Sequence, residues 1–169
     1  MVDALEAADP NVRVACTRKT FPGGRRLCGV AVKAGGAILR RSGLSETILV
    51  FAEHRAFLAE QPLPSIAARL RRAAPEKKLA VEVGCVEEAL QDTEAGFDVV
   101  QLNKFSVESV GEVADYARSG RGQVLIAAAG GVDVANAASY VRAGAGLIVS
   151  SAPYAAPPRD VSVTISAVD

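Results

Sequence analysis

Four cations crowd one short stretch of this chain, CTRKTFPGGRR at residues 16–26, where Arg18, Lys19, Arg25 and Arg26 flank a Pro-Gly-Gly turn with no acid among them. Like charges packed this closely repel one another, so their company calls for a reason. Arg40 and Arg41 follow a Gly pair in GGAILRRSGLSE, and a single carboxylate, Glu82, interrupts the apolar run LAVEV. A carboxylate inside an apolar strand is costly unless it has a partner. Asn103 and Lys104 follow DVVQL, Ala129-Gly130-Gly131 follow VLIAA, and Ser150-Ser151 end the last apolar run. Glycines let a backbone approach a phosphate closely, and a helix N-terminus offers free N–H groups to it. Cations early, one carboxylate midway and small residues late describe a site for an anion rich in phosphate or carboxylate.

Structural readings compete at several of these positions. Arg25 and Arg26 open a helical pattern and read as solvated. A Gly-Gly before a helix is also what a tight βα turn requires. His54, the single histidine, stands between Glu53 and Arg55 on a helical pattern and reads as structural. Tyr154 suits packing as well as function. The Arg18-Lys19 pair is the one that structure alone explains least.

Positioning such residues takes strands that end together. Short β-branched apolar runs lie at 13–16, 47–51, 79–83, 98–102, 123–128 and 146–150, and they predict strands. They lack polar alternation, so both faces are buried, as in a parallel sheet. Amphipathic stretches at 64–74, 86–95, 106–119 and 133–144 predict helices between them, and the first residues, MVDALEAA, predict another. Ser106 and Asp133 are candidate N-caps, and Gly96, Gly120 and Gly144 are candidate helix stops. This rhythm means repeated βαβ units, in a barrel or an open wound sheet of about six parallel strands. A full eightfold barrel needs more chain than this. The tail VSVTISAV at 161–168 alternates and predicts an added edge strand. No linker divides the chain, which reads as one domain over residues 1–169.

Composition narrows the partners. Half of the 169 residues are hydrophobic, which suits one well-buried core. Lys+Arg and Asp+Glu are 19 each, so no global charge draws the chain to nucleic acid or membrane. Aromatics are 5% and Trp is absent, which argues against base stacking. Cys16, Cys28 and Cys85 are odd in number, widely spaced and without a CxxC pair, so they read as reduced thiols of a cytoplasmic protein. The N-terminus lacks the pattern of a signal peptide, and no apolar run reaches the length of a membrane span.

The ordered motifs TRKTFPG, AGG…R.GLSETIL, VEV…EEAL…AG.DVVQLNKF and AAAGGV…N…Y…AG resemble the catalytic barrel of type II phosphoribosyltransferases, the quinolinate phosphoribosyltransferase (nicotinate-nucleotide pyrophosphorylase) family. TRKTFPG, SETILVFAEHRAF, QLNKFS and SSAPY are similar in particular to its ModD-type branch, encoded beside molybdate transporters. The likeness runs from about residue 12 to the end. It implies an α/β, modified TIM-like barrel, and transfer of a phosphoribosyl group from phosphoribosyl pyrophosphate to an acidic, pyridine-carboxylate-like acceptor with Mg²⁺ assisting. It implies that Arg18 and Arg41 hold the acceptor's carboxylates, with Arg40 beside them. Lys19 would contact the acceptor or the donor, Glu82 would stabilise the positive charge developing on the ribose or bind through the metal, and Asn103 stands at the second catalytic position. Gly130 and Gly131 would cradle the 5′-phosphate, with Ser151 nearby. The family also implies homodimers and an N-terminal sandwich domain, which the motifs here do not include. This chain departs from the pattern at Arg40 (a histidine in the family), Phe51 (a lysine), Asn103 (an aspartate) and Ala129 (a serine). These departures leave a second expectation open, a catalytically degenerate anion- or phosphate-binding barrel linked to molybdate uptake.

Overall fold

The computed structural model describes residues 1–41, 43, 46–58, 61–120, 124–158 and 160–167. A short helix α1 (Val2–Glu6) leads into β1 (Arg13–Cys16), α2 (Arg25–Ala34), β2 (Ile38–Leu39), β3 (Ile48–Val50), α3 (Ala52–Ala56) and α4 (Leu63–Ala73). Then β4 (Leu79–Val83), α5 (Val86–Glu94), β5 (Val99–Asn103), α6 (Val107–Ser119), β6 (Leu125–Ala129), α7 (Ala137–Arg142) and β7 (Leu147–Ser150) alternate, and a 3₁₀ turn (Ala152–Ala155) follows. The sheet order is β2-β1-β7-β6-β5-β4-β3, with every pairing parallel. All chemistry-bearing loops therefore leave the same edge of the sheet.

The two faces of the sheet bury different things. Val14, Cys16, Leu79, Val81, Val100, Leu102, Ile126 and Ile148 pack outward against the helices in one large cluster. The opposite face holds a smaller cluster of Ala15, Leu49, Ala80, Val99, Ala127, Ala129 and Val149. Strand side chains alternate faces, so this second set lines the inside of the curl. Alanine predominates there, and small side chains leave room inside for something else. The curl is also visible in one contact: Arg40 just past β2 reaches Gln101 of β5. Those strands are four places apart in the order, about 19 Å in a flat sheet at 4.8 Å per step. No arginine spans that distance, so the sheet closes on itself as most of a barrel.

The expected strands are present, with ends that differ by a residue or two; Gln123 of the expected 123–128 run lies outside the described residues. The count is seven and not six, because the two-residue β2 was too short to read in GGAIL. Ser106 caps α6 as expected, its hydroxyl accepting from the Ser109 N–H at 3.1 Å. The helix expected over 133–144 is shorter, Ala137–Arg142, because the Asp133 carboxylate takes the N–H groups of Ala135 and Asn136 into a turn first. Gly120 is the C-cap of α6, while Gly96 and Gly144 sit one residue beyond theirs with φ of 88° and 109°. The tail is not an edge strand. Residues 160–167 carry no strand pairing and are exposed, and Val168 lies outside the described residues. Alternation gave this segment the right pattern, but no strand edge lies against it.

Candidate functional site

Arg18 and Arg41 line one cavity of about 500 Å³, with Thr47, Leu49, Phe51 and His54 on its wall. The cavity lies along the free edge of β3, where the barrel's seam toward β2 stays open. Leu70 and Arg69 of α4 complete the wall. Cations and an apolar strand edge thus face the same space, which suits a ligand with acid groups on an apolar body.

Arg40 lies on the inner side of the same seam. Its backbone N–H extends the β1–β2 ladder by donating to the Cys16 carbonyl at 2.8 Å, which aims the side chain inward. One terminal nitrogen donates to Gln101 Oε1 at 3.4 Å, while its Nε is shut from solvent with no hydrogen-bond partner. Burial and then the nearby Arg41 pull the Arg40 pKa down. Arg41 is pulled down as well, by burial and then Arg18, against an opposing pull from Glu46. Three guanidinium groups thus feel one another, and among the described residues no salt bridge engages Arg18, Lys19, Arg40 or Arg41. The cations that oppose one another here are Arg18, Arg40 and Arg41; Lys19, Arg25 and Arg26 of the CTRKTFPGGRR cluster are exposed.

Glu82 is half-buried on β4 and accepts a 2.5 Å hydrogen bond from Gln101 Nε2 on β5, its in-register neighbour. So a single chain of contacts, Arg40 to Gln101 to Glu82, crosses the barrel. Gln101 was not singled out in the sequence. Its signal was the one polar residue inside DVVQL, at the position in register with Glu82.

Asn103 ends β5, and Lys104 after it takes φ 62°, uncommon for a side chain with a Cβ, while its N–H donates to the Ala129 carbonyl at 2.7 Å. Gly130 packs against this corner so closely that a Cβ there would lie 2.5 Å from Asn103 Oδ1 and 2.7 Å from Lys104 Cγ. Gly130 and Gly131 both have positive φ, 80° and 78°, which turns their peptides at the mouth of the barrel. Beyond them the Asp133 N–H donates to Asn136 Oδ1 and the Ala135 and Asn136 N–H groups donate to Asp133 Oδ1, while the Gly131 carbonyl accepts from Asn136 Nδ2 at 3.0 Å.

Other expected residues land apart from this network. Lys19 is exposed, its N–H bonded to Thr17 Oγ1 at 3.3 Å, and it does not line the cavity. Ser151 is exposed at the head of the 3₁₀ turn without a side-chain cap. Its neighbour Ser150 is the buried one, donating to the Val132 carbonyl at 2.6 Å and accepting from Ala152 N–H at 3.0 Å. Tyr154 donates to the Thr17 carbonyl at 2.8 Å and so ties the 3₁₀ turn to the strand end that carries Arg18. His54 Nδ1 accepts from Phe51 N–H at 3.1 Å, a local cap of α3, although its ring also faces the cavity. Arg25 and Arg26 are exposed on α2.

A curled parallel α/β barrel, with cations and one carboxylate at the carboxyl ends of its strands, defines a class of enzyme-like scaffold. The sequence profile of the quinolinate phosphoribosyl transferase C-terminal domain matches residues 1–164, and the chain belongs to that family. It is 50% identical over 145 residues to the pyrophosphorylase ModD of Rhodobacter capsulatus, covering 85% of this chain and 55% of that protein. It is 40% identical over 166 residues to the ModD of Escherichia coli O127:H6, covering 98% of this chain and 58% of that one. Among solved structures, NadC from Streptococcus pyogenes superposes with a TM-score of 0.74 at 28% identity, over 90% of this chain and 53% of that one. The chain thus spans somewhat over half the length of the curated relatives it matches. No helix among the described residues is long and apolar enough to cross a membrane.

Proposed function

We propose that this chain is the barrel of a ModD-like pyrophosphorylase, a phosphoribosyltransferase that moves a phosphoribosyl group from phosphoribosyl pyrophosphate to an acidic, pyridine-carboxylate-like acceptor. The observation that carries the reading is the shared seam: Arg18 and Arg41 line its cavity, and Arg40 links inward to Glu82 through Gln101. In this reading Arg18, Arg40 and Arg41 hold the acceptor's acid groups, since guanidinium forks bind carboxylate with paired hydrogen bonds. Glu82 faces the cationic sugar carbon as the pyrophosphate bond breaks, with Asn103 beside it, and a fixed charge is most effective at that moment. Gly130 and Gly131 receive the 5′-phosphate, and Lys19 and Ser151 approach it only with movement of their exposed side chains.

Glu82 and Asn103 present hard oxygens, which suit Mg²⁺, an ion that takes most of its ligands from substrate phosphates and water. Glu82 is the residue that would hold it, and the ion would neutralise charge gathering on the leaving pyrophosphate. Among the described residues no three His, Cys, Asp or Glu come together, so a cage made by protein alone is not what would bind it. The reading further takes residues 1–169 as one domain, active in the cytoplasm as a homodimer. Exposed Leu27 and Val30, one turn apart on α2, with Phe21 before it, offer apolar surface for pairing. Light scattering that shows a monomer across a wide concentration range would remove that part.

Thermal shift tests the whole. Phosphoribosyl pyrophosphate, inorganic pyrophosphate and pyridine-2,3-dicarboxylate should each raise the melting temperature, the first two more with Mg²⁺. If none does, the reading fails. The second reading, a degenerate anion-binding barrel linked to molybdate uptake, is favoured by Asn103, an amide where the family has a carboxylate, and by buried Ala129 beside it. Asn103→Asp separates the two: it should raise Mg²⁺-dependent turnover if the chemistry persists, and change binding alone if the barrel only holds its ligand.

A further inference from the structure

Gln101 is 5% exposed and points into the barrel, level with Ala127 on one neighbouring strand and Glu82 on the other. A buried amide here has one satisfied orientation. A guanidinium can only donate and an ionised carboxylate can only accept, so Oε1 must face Arg40 and Nε2 must face Glu82. Both contacts are the ones observed. We propose that Gln101 is a positioning residue and a determinant of acceptor specificity: a neutral spacer that keeps Arg40 and Glu82 in one network without letting them close an ion pair.

The inference rests on the transferase reading and deepens it. A direct Arg40–Glu82 pair would be a strong bidentate contact, and it would use up both charges in the empty protein. With the amide between them, Arg40 keeps a buried Nε without a partner, beside a second guanidinium that repels it. A carboxylate of the acceptor entering the seam satisfies that donor and relieves that repulsion in one step. Glu82, held only by an amide, keeps its negative charge for the sugar. Ala127, the smallest side chain that could stand beside Gln101, leaves the amide room to hold this geometry.

Gln101→Met keeps length and burial and removes both hydrogen bonds. Titration calorimetry with pyridine-2,3-dicarboxylate and with inorganic pyrophosphate reads the outcome. Dicarboxylate affinity should fall by at least about tenfold, the loss of roughly one charge-assisted hydrogen bond, while pyrophosphate affinity changes little. The double variant Arg40→Met/Gln101→Met should bind the dicarboxylate no worse than Arg40→Met alone, because Gln101 acts through Arg40. The Arg40 Nε–Hε NMR signal, assigned by its loss in Arg40→Lys, should move in Gln101→Met, which a purely structural role would not require. Should Gln101→Met not fold, Gln101→Asn is the second variant: its shorter amide cannot reach both Arg40 and Glu82 and should give the same selective loss. Unchanged dicarboxylate binding in the single variant, or losses that add in the double one, would overturn the inference alone. A parent protein that binds pyrophosphate but no dicarboxylate also overturns it and leaves the phosphoribosyl reading standing. A parent that binds neither overturns both.

Discussion

Two carboxylates at opposite ends of the same sheet are treated in opposite ways. Asp98, at the amino end of β5, accepts from the Leu79 N–H at 2.8 Å, Arg71 at 3.1 Å and Lys78 at 3.2 Å. Those bonds outweigh its partial burial and hold its pKa below the ordinary value. Glu82, near the carboxyl end of β4, has one amide for company, and the guanidinium groups of that end face a cavity. At the amino end Asp98 is paired with two cations. At the carboxyl end Arg55 pairs with Glu88 at 3.4 Å on the rim, while Arg18, Arg40 and Arg41 form no salt bridge among the described residues. In parallel barrels the first end serves stability and the second serves chemistry. Here Asp98 has its hydrogen bonds satisfied within the chain, whereas the buried Arg40 Nε has no partner.

The comparison breaks first at Asp98. Asp98→Ala removes the acceptor shared by two strands and two cations and should cost about 3 kcal/mol in urea unfolding. The sign of its pH dependence follows from the lowered pKa. An acid depressed in the folded state stabilises it above the unfolded value, about 3.9, and that contribution is lost as pH falls through the still lower folded value. Parent and variant should therefore converge in stability below about pH 4. A variant as stable as the parent at pH 7 would show that the amino end holds nothing together.

Arg18→Ala sharpens the other side. It takes one charge from a repelling set, so the melting temperature of the ligand-free protein should stay level or rise slightly. Pyrophosphate or dicarboxylate affinity should fall roughly ten- to a hundredfold, the worth of one charge-assisted hydrogen bond. A large loss of stability with binding intact would reverse the assignment of the two ends.

Asp92 tests whether the division extends beyond the sheet. It is fully buried on α5, with Arg55 at 3.7 Å and no hydrogen bond to either oxygen. Burial, against the pull of Arg55, pushes its pKa up to about 6. A raised acid works opposite to Asp98: its contribution is full below the unfolded pKa and lost as pH rises through about 6. Unfolding at pH 5.5 and 7.5 should show the parent about 0.8 kcal/mol more stable at the lower pH from this group, and Asp92→Asn should flatten that difference. An unchanged slope in the variant would place the titration elsewhere.

Much of the fold was legible because parallel strands buried on both faces leave unbroken apolar runs, and LAVEV and RVAC were read to the residue. The same burial hid which side chains point inward. Gln101 looks like a blemish in DVVQL until register sets it beside Glu82. Arg18 and Arg41 were legible as charges without acids, and Glu82 as a carboxylate out of place. Lys19 was legible as part of the acid-free cluster and Ser151 as the end of the last apolar run, but the exposed positions they occupy follow from loop paths that no local pattern encodes. The two-residue β2 has too few residues for any period to show.

The tail carries the smallest expected effect and the clearest statement of what a pattern lacks. Val161, Val163 and Ile165 alternate with polar residues as an edge strand would, yet they are 79%, 81% and 92% exposed. A strand gains its stability from ladder bonds and from cross-strand and face-to-face packing, not from its own periodicity. Here neither is present, so the segment contributes nothing that the rest of the chain would miss. Ending the chain at Asp160 should leave its unfolding free energy within about 0.5 kcal/mol of the parent, the range of ordinary surface changes. It should also raise solubility, because an alternating apolar segment without a partner is a template for pairing between molecules. A loss of several kcal/mol on truncation would mean that the tail docks on the barrel after all, and the edge-strand reading of the sequence would then have been right about its partner as well as its pattern.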